Sequence, residues 1–198
     1  MKRIWIIQDS IKNEKAFKQT GGSDGYYWGT WEVYRKKENL NKLKRENTFS
    51  RREKSVYLGY IESGSFKYVA YTKNGEEKIV GLETVGGFVA NWPYCLQKLS
   101  SPIAIIANTD SVISTLSVSK IIKRMDKDPD FEKLVNLATK AMFYTIYERM
   151  IDLYTKTPKE RYGKMLDRCP QMFEIFSLKD IPSYLNITPT HLSRLRKK

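Results

Sequence analysis

The stretch from Ser177 to Lys198 places apolar residues where two short helices crossing at a steep angle must touch. Ile181 and Leu185 lie one turn apart on a first helix, Ile187 plugs the turn, and Leu192 and Leu195 face inward from a second helix. Asn186 stands in the tight turn, where φ is often positive and Asn is tolerated. Thr188 is the N-cap of the second helix and Pro189 its first residue. Ser177 with Asp180 reads as a capping box for the first helix. Pro182 lies about one turn into that helix, where it removes a backbone donor, so the helix either starts near Asp180 or bends. The pattern is a helix-turn-helix. With Leu192 and Leu195 buried, the helical wheel turns Thr190, Ser193, Arg194 and Lys197 outward, with Thr188 and His191 beside them. Arginine can give guanine two hydrogen bonds, and Thr or Ser reaches several base edges. Thr188, Thr190, His191, Ser193, Arg194 and Lys197 are therefore the candidate DNA-binding residues, and double-stranded DNA is the expected partner.

The charge agrees. The chain carries 35 Lys+Arg against 22 Asp+Glu, a formal net charge of +13 over 198 residues. Residues 156–198 alone hold ten Lys+Arg against four Asp+Glu, a net of +6. Such an excess attracts polyanions. Hydrophobic residues make up 41%, enough for a sizeable core. Met1-Lys-Arg precedes only four apolar residues, Ile4 to Ile7, where a secretory signal needs at least about seven. No stretch approaches the roughly 18 apolar residues of a membrane span. A soluble, cytoplasmic protein without a membrane partner is expected. Cys95 and Cys169 sit far apart, without another Cys or His at ligand spacing, and read as thiols. The single histidine, His191, excludes a His-based metal cluster. Paired carboxylates at a capped site, a nucleophile with its base, and a phosphate loop are all missing, so the chain does not read as an enzyme.

Residues 1–54 are the least legible. Gly21-Gly22-Ser23-Asp24-Gly25 reads as a turn and Tyr26 to Tyr34 as a strand. Basic clusters follow at Arg35-Lys36-Lys37, at Lys42 with Lys44-Arg45, and at Arg51-Arg52 with Lys54. From Ser55 to Ser117 the signals are short strands: Val56–Ile61, Phe66–Tyr71, Lys78–Leu82, Ile103–Ala107 and Val112–Leu116. Asn74-Gly75 marks a hairpin and Gly86-Gly87 a break. Strands at this spacing predict an antiparallel sandwich or roll. Helical periodicity begins at Val118. A long helix from Pro129 to about Tyr154 carries one stripe through Leu134, Leu137, Ala141, Tyr144, Tyr147, Ile151 and Tyr154, and another through Val135, Ala138, Met142, Ile146, Met150 and Leu153. A helix apolar on two faces must be covered on both, either within one globule or with one face on its own β domain and the other on a partner chain. Thr157-Pro158 opens a further helix to about Arg168, which Cys169-Pro170 ends.

Several segments together resemble Crp/Fnr-type transcriptional regulators, in the short form common in Bacteroidetes. They are Glu160-Arg161-Tyr162, Cys169-Pro170, the run from Leu178 to Pro189, and Leu192-Ser-Arg-Leu-Arg-Lys. Upstream, Tyr60-Ile61-Glu62-Ser63-Gly64, Asn74-Gly75-Glu76-Glu77 and Gly86-Gly87-Phe88 are similar to that family's sensor domain. The resemblance implies an α+β fold with an N-terminal, cyclic-nucleotide-binding-like antiparallel β-roll at 1–128, a long dimerisation helix at 129–155 and a small helix-turn-helix domain at 156–198. It implies a homodimer whose base contacts come from Thr190, Ser193 and Arg194, with RNA polymerase and a small-molecule effector as further partners. Many relatives carry Glu at the position of Thr190, so a different site preference is expected. The sequence stops at the recognition helix, so the wing that usually follows it is expected to be absent.

The sensor departs from the nucleotide-binding pattern. Relatives that bind cyclic AMP hold its ribose with a Glu where this chain has Asn91, and its phosphate with an Arg-Ser pair where it has Leu99-Ser-Ser-Pro-Ile103. A buried phosphate without its guanidinium loses a charge-assisted bidentate partner. Cyclic AMP is therefore not the expected effector, although Trp92, Tyr94, Tyr60 and Tyr71 can equally line an apolar cavity or form core. An iron–sulfur cluster needs about four cysteines, and no cofactor is expected. The leading expectation is a dimeric transcriptional regulator. The alternative is a ligand-binding or protein-interaction dimer whose truncated C-terminal domain no longer binds DNA.

Overall fold

A computed structural model of the chain describes residues 39–50 and 56–197. The turn at 21–25, the strand at 26–34 and the basic clusters at 35–37 and 51–54 lie outside the described residues. In chain order the elements are β1 (Asn39–Leu43), β2 (Thr48–Ser50), β3 (Tyr57–Ser63), β4 (Ser65–Tyr71), β5 (Glu77–Thr84), β6 (Phe88–Val89), α1 (Trp92–Gln97), β7 (Ile103–Ala107) and β8 (Ser111–Ser117). Six helices follow: α2 (Val118–Met125), α3 (Pro129–Thr155), α4 (Pro158–Arg168), α5 (Met172–Ile175), α6 (Asp180–Leu185) and α7 (Pro189–Arg196). The result is α+β, with an antiparallel roll followed by a long helix and a helical C-terminal unit.

Among the described residues the roll consists of two four-stranded sheets, in the orders β1-β8-β3-β6 and β2-β7-β4-β5, antiparallel throughout. Alternating strands bury one face each, so Ile61, Phe66, Val89, Ile105, Ala107 and Ile113 meet between the sheets, closed by Leu43, Phe49 and Tyr68. Two turns set the register. At the Asn74-Gly75 hairpin, Thr72 N–H donates to Glu76 O at 2.9 Å and Gly75 has φ +80°. Between β3 and β4, Gly64 has φ +89°, and a Cβ there would fall 2.1 Å from Ser111 Oγ, so glycine is required on both counts.

A second core lies outside the first sheet. Trp92 and Cys95 of α1, Val118 and Ile121 of α2, and Phe131 of α3 pack there, joined by Leu58, Leu116, Leu134, Val135 and Met142. Trp92 Nε1 donates to Thr139 Oγ1 at 2.9 Å, tying α1 to the long helix. Asp128 caps α3 by accepting from Phe131 N–H at 3.0 Å, and Pro129 occupies its first turn at no cost.

The roll covers the long helix along part of its length, not as one stripe. Phe131 and Ala141 are buried and Leu134, Val135 and Met142 half-buried in the amino-terminal part. Beyond it, Tyr144, Ile146, Tyr147, Met150, Ile151 and Tyr154, from both stripes, are exposed, as is Phe143 between them. Phe143 and Tyr147 stack there at 5.9 Å.

Candidate nucleic-acid interface

The C-terminal unit has its own core of Met165, Met172, Phe176, Ile181, Leu185 and Leu192. Of the predicted contacts, Ile181, Leu185 and Leu192 are buried, and Ile187 and Leu195 are half-buried. The first helix starts late. Its opening turn runs from Ser177, whose carbonyl accepts from Asp180 and Ile181 N–H, both at 3.1 Å. Pro182 is therefore in the first turn of α6, where a proline is tolerated. Ser177 Oγ accepts from Asp180 N–H at 3.1 Å and donates to the Asp180 carboxylate at 2.7 Å.

Asn186 adopts the left-handed conformation, φ +53°, and reverses the chain. Ile187 N–H then donates to Pro182 O at 3.0 Å and Asn186 N–H to Ser183 O at 3.1 Å. Thr188 Oγ1 caps α7 by accepting from His191 N–H at 3.1 Å. With Leu192 turned into the core, Thr190, His191, Ser193, Arg194 and Lys197 all lie on the exposed side of α7, next to Thr188. Arg196 differs from its basic neighbours: its guanidinium lies 4.9 Å over the Phe173 ring, so it braces the helix from behind. The exposed face of α7 is thus polar and basic, with no carboxylate on the helix to oppose a phosphate.

Sequence reasoning did not foresee how this unit sits on the roll. Ile79 N–H, on the free edge of β5 beside a bulge, donates to Ser183 Oγ at 2.9 Å. Lys67 of β4, only 11% exposed in its side chain, stands between Glu46 at 3.5 Å and Asp180 at 4.0 Å. Asn108 Nδ2 donates to Ile175 O at 2.8 Å. Leu82 and Tyr184 belong to both the C-terminal core and the apolar patch of Val69, Ile79, Ala104 and Ile106. An edge strand leaves every second N–H unpaired, and this generic feature was the only signal in the sequence.

The sensor positions are also filled from within. Asn91 is buried and its amide donates to Ser50 Oγ at 3.1 Å and Ile103 O at 3.0 Å. Ser101 is buried and accepts from Ile103 N–H at 3.0 Å. Of the aromatic residues, Trp92 is core, Tyr60 packs edge-on against Phe88 at 5.4 Å, and Tyr71 bonds Glu77 on an exposed edge.

A sensor-type roll, a long helix with an exposed apolar end and a helix-turn-helix define the fold of Crp/Fnr-type regulators, and the chain has that fold. Among solved structures it is similar to FixK2 from Bradyrhizobium japonicum, at TM-score 0.67 and 18% identity over 81% of this chain and 83% of that one. CLP of Xanthomonas campestris, described as a c-di-GMP responsive global regulator, matches at TM-score 0.64 and 14% identity over 85% and 89%. A CooA variant from Carboxydothermus hydrogenoformans matches at 0.61 and 13% over 83% and 77%. No family model and no curated protein sequence matches the chain.

Proposed function

We propose that the chain is a dimeric, sequence-specific DNA-binding regulator of transcription, with a sensor roll at 1–128, a dimerisation helix at 129–155 and a reading head at 156–198. The observation that carries this reading is the exposed face of α7, on which Thr190, Ser193 and Arg194 can meet base edges. Thr188, His191 and Lys197, exposed beside them, are the residues we assign to the phosphates. The exposed apolar half of α3 is the surface on which two copies would pair. Among the described residues no helix is long and apolar enough to cross a membrane, and a regulator of this kind works in the cytoplasm. RNA polymerase and an unidentified effector are the further partners this function calls for. Cyclic AMP is not that effector in this reading, because the amide of Asn91 and the hydroxyl of Ser101 are engaged within the protein.

Two substitutions test the assignment on a duplex selected by the protein. Arg194→Ala should weaken binding by about 1–3 kcal/mol and relax preference at one base pair. Lys197→Ala should weaken all sequences alike and reduce the salt slope by about one. Indistinguishable behaviour of the two variants would refute the division into base and phosphate contacts.

A further inference from the structure

The first helix of the helix-turn-helix, α6, is only six residues long, so most of its backbone polar groups need partners from outside the regular ladder. The fate of its last four carbonyls can be followed one by one. Pro182 O and Ser183 O accept from Ile187 and Asn186 N–H through the left-handed turn. Tyr184 O accepts from Arg149 Nη2 at 2.6 Å, and Leu185 O accepts from Arg161 Nε at 3.1 Å. Two cations thus close the carboxyl end of α6, where the helix dipole favours positive charge. Neither comes from α6 or α7. Arg149 sits on the long helix α3 and Arg161 on α4.

Each arginine makes a second contact that fixes its direction. The Arg149 guanidinium lies 3.8 Å over the Tyr184 ring, so it holds both the backbone and the side chain of one residue. Arg161 Nη1 donates to Lys156 O at 2.5 Å, and Lys156 is the C-cap of α3, so one planar group spans the α3–α4 joint and the helix-turn-helix. The acids nearby are taken by other cations. Lys164 pairs with Glu148 at 3.1 Å and with Asp152 at 2.5 Å, Lys156 with Asp152 at 3.1 Å, and Arg168 with Glu148 at 3.6 Å. Arg149 and Arg161 are thereby directed to the carbonyls.

We propose that Arg149 and Arg161 are positioning residues of the reading head: by closing the carboxyl end of α6 they fix the orientation of α7 to the long helix. This rests on the DNA-binding reading for its consequence, but the geometry stands apart from it. Neither side chain touches the exposed face of α7, so each acts through α6. The roll holds α6 through Asp180 at its amino end and Ser183 in its middle, and the two arginines hold its carboxyl end. Removing an arginine frees one of the two carbonyls that close the carboxyl end of α6.

The full-length protein tests this with two independent readouts. Arg149→Ala and Arg161→Ala should each lower affinity for a selected duplex by about tenfold or more, the loss expected for one charged hydrogen bond. Affinity for random duplex should hardly change, so the ratio of specific to non-specific binding falls; partial unfolding would lower both together. The second readout needs no DNA. Hydrogen exchange at the Ile79 amide, which donates to Ser183, should quicken, while amides paired between β3 and β8 keep their protection. Arg149→Lys keeps the charge but not the planar stack on Tyr184 and should restore only part of the binding ratio. Arg161→Lys cannot bridge both carbonyls and should fall between wild type and alanine. If an alanine variant does not fold, Arg161→Lys carries the test, and an unchanged ratio with unchanged Ile79 exchange overturns the proposal. The same pair of results in folded alanine variants also overturns it. If the wild type shows no specific DNA binding, the DNA reading fails, and Ile79 exchange alone then decides whether the arginines position the head.

Discussion

Glu83, at the end of β5, is half-buried and its carboxylate folds back over the Gly86-Gly87 turn. A Cβ on Gly87 would fall 2.2 Å from Glu83 Oε1, so the carboxyl group occupies the space that glycine leaves. Among the described residues it accepts one weak hydrogen bond, from Thr84 N–H at 3.4 Å. Burial pushes its pKa up from 4.5 to about 8, the Thr84 amide offsetting only part of this. Between those values the folded chain keeps a proton that the unfolded chain has released. Stability therefore falls as pH rises through that window and levels off above it. At about 1.4 kcal/mol per pH unit the ceiling is about 5 kcal/mol, and water reaching a half-buried carboxyl brings the expected effect to about 1–2 kcal/mol. For a chain of this size each kcal/mol moves the melting temperature by about 2–4 °C. Glu83→Gln keeps the shape and removes the titration. The assay is the melting temperature of wild type minus that of Glu83→Gln, measured from pH 5 to pH 9, which cancels the background of the +13 charge. The difference should shift by about 2–8 °C against the wild type as pH rises. A difference that stays flat across the range would refute the reasoning.

Three further predictions follow from the same geometry. Ile146, 57% exposed on α3, contributes little to the protomer, so Ile146→Glu should leave helix content unchanged and convert dimer to monomer at micromolar concentration in sedimentation experiments; a persistent dimer would place the interface elsewhere. Thr188→Ala removes the cap of α7 and should cost about 1 kcal/mol in chemical denaturation, with a larger proportional loss of DNA affinity than of stability. Cyclic AMP at millimolar concentration should leave the melting temperature unchanged, since a ligand that binds the folded state must raise it; a thermal shift abolished by substituting Asn91 would reverse that conclusion.

What was legible in the sequence was local. The strands from Tyr57 to Thr84 follow from alternation and the Asn74-Gly75 turn, because a half-buried strand writes its period into neighbouring residues. The helix-turn-helix was legible for the same reason: Ile181, Leu185, Ile187 and Leu192 meet within a dozen residues. β1 was not, because Asn39-Leu-Asn-Lys-Leu43 is a polar edge strand without apolar alternation. α1 was hidden by its length of six residues. Long-range contacts left no local trace. Ser183 meets Ile79 across 104 residues and Arg149 meets Tyr184 across 35, and no periodicity encodes either. Arg194 and Arg196 look alike in sequence, and only the place of Phe173, over whose ring the Arg196 guanidinium lies, sets them apart.

The central claim is that α7, presented twice by a two-fold dimer, reads DNA sequence. Selection of duplexes from a random pool by the purified full-length protein, followed by sequencing, tests it most directly. The account predicts an enriched inverted repeat whose half-sites are centred about one helical turn, or a small multiple of it, apart. A pool that stays random through selection, or a single enriched site without inverted symmetry, would contradict it.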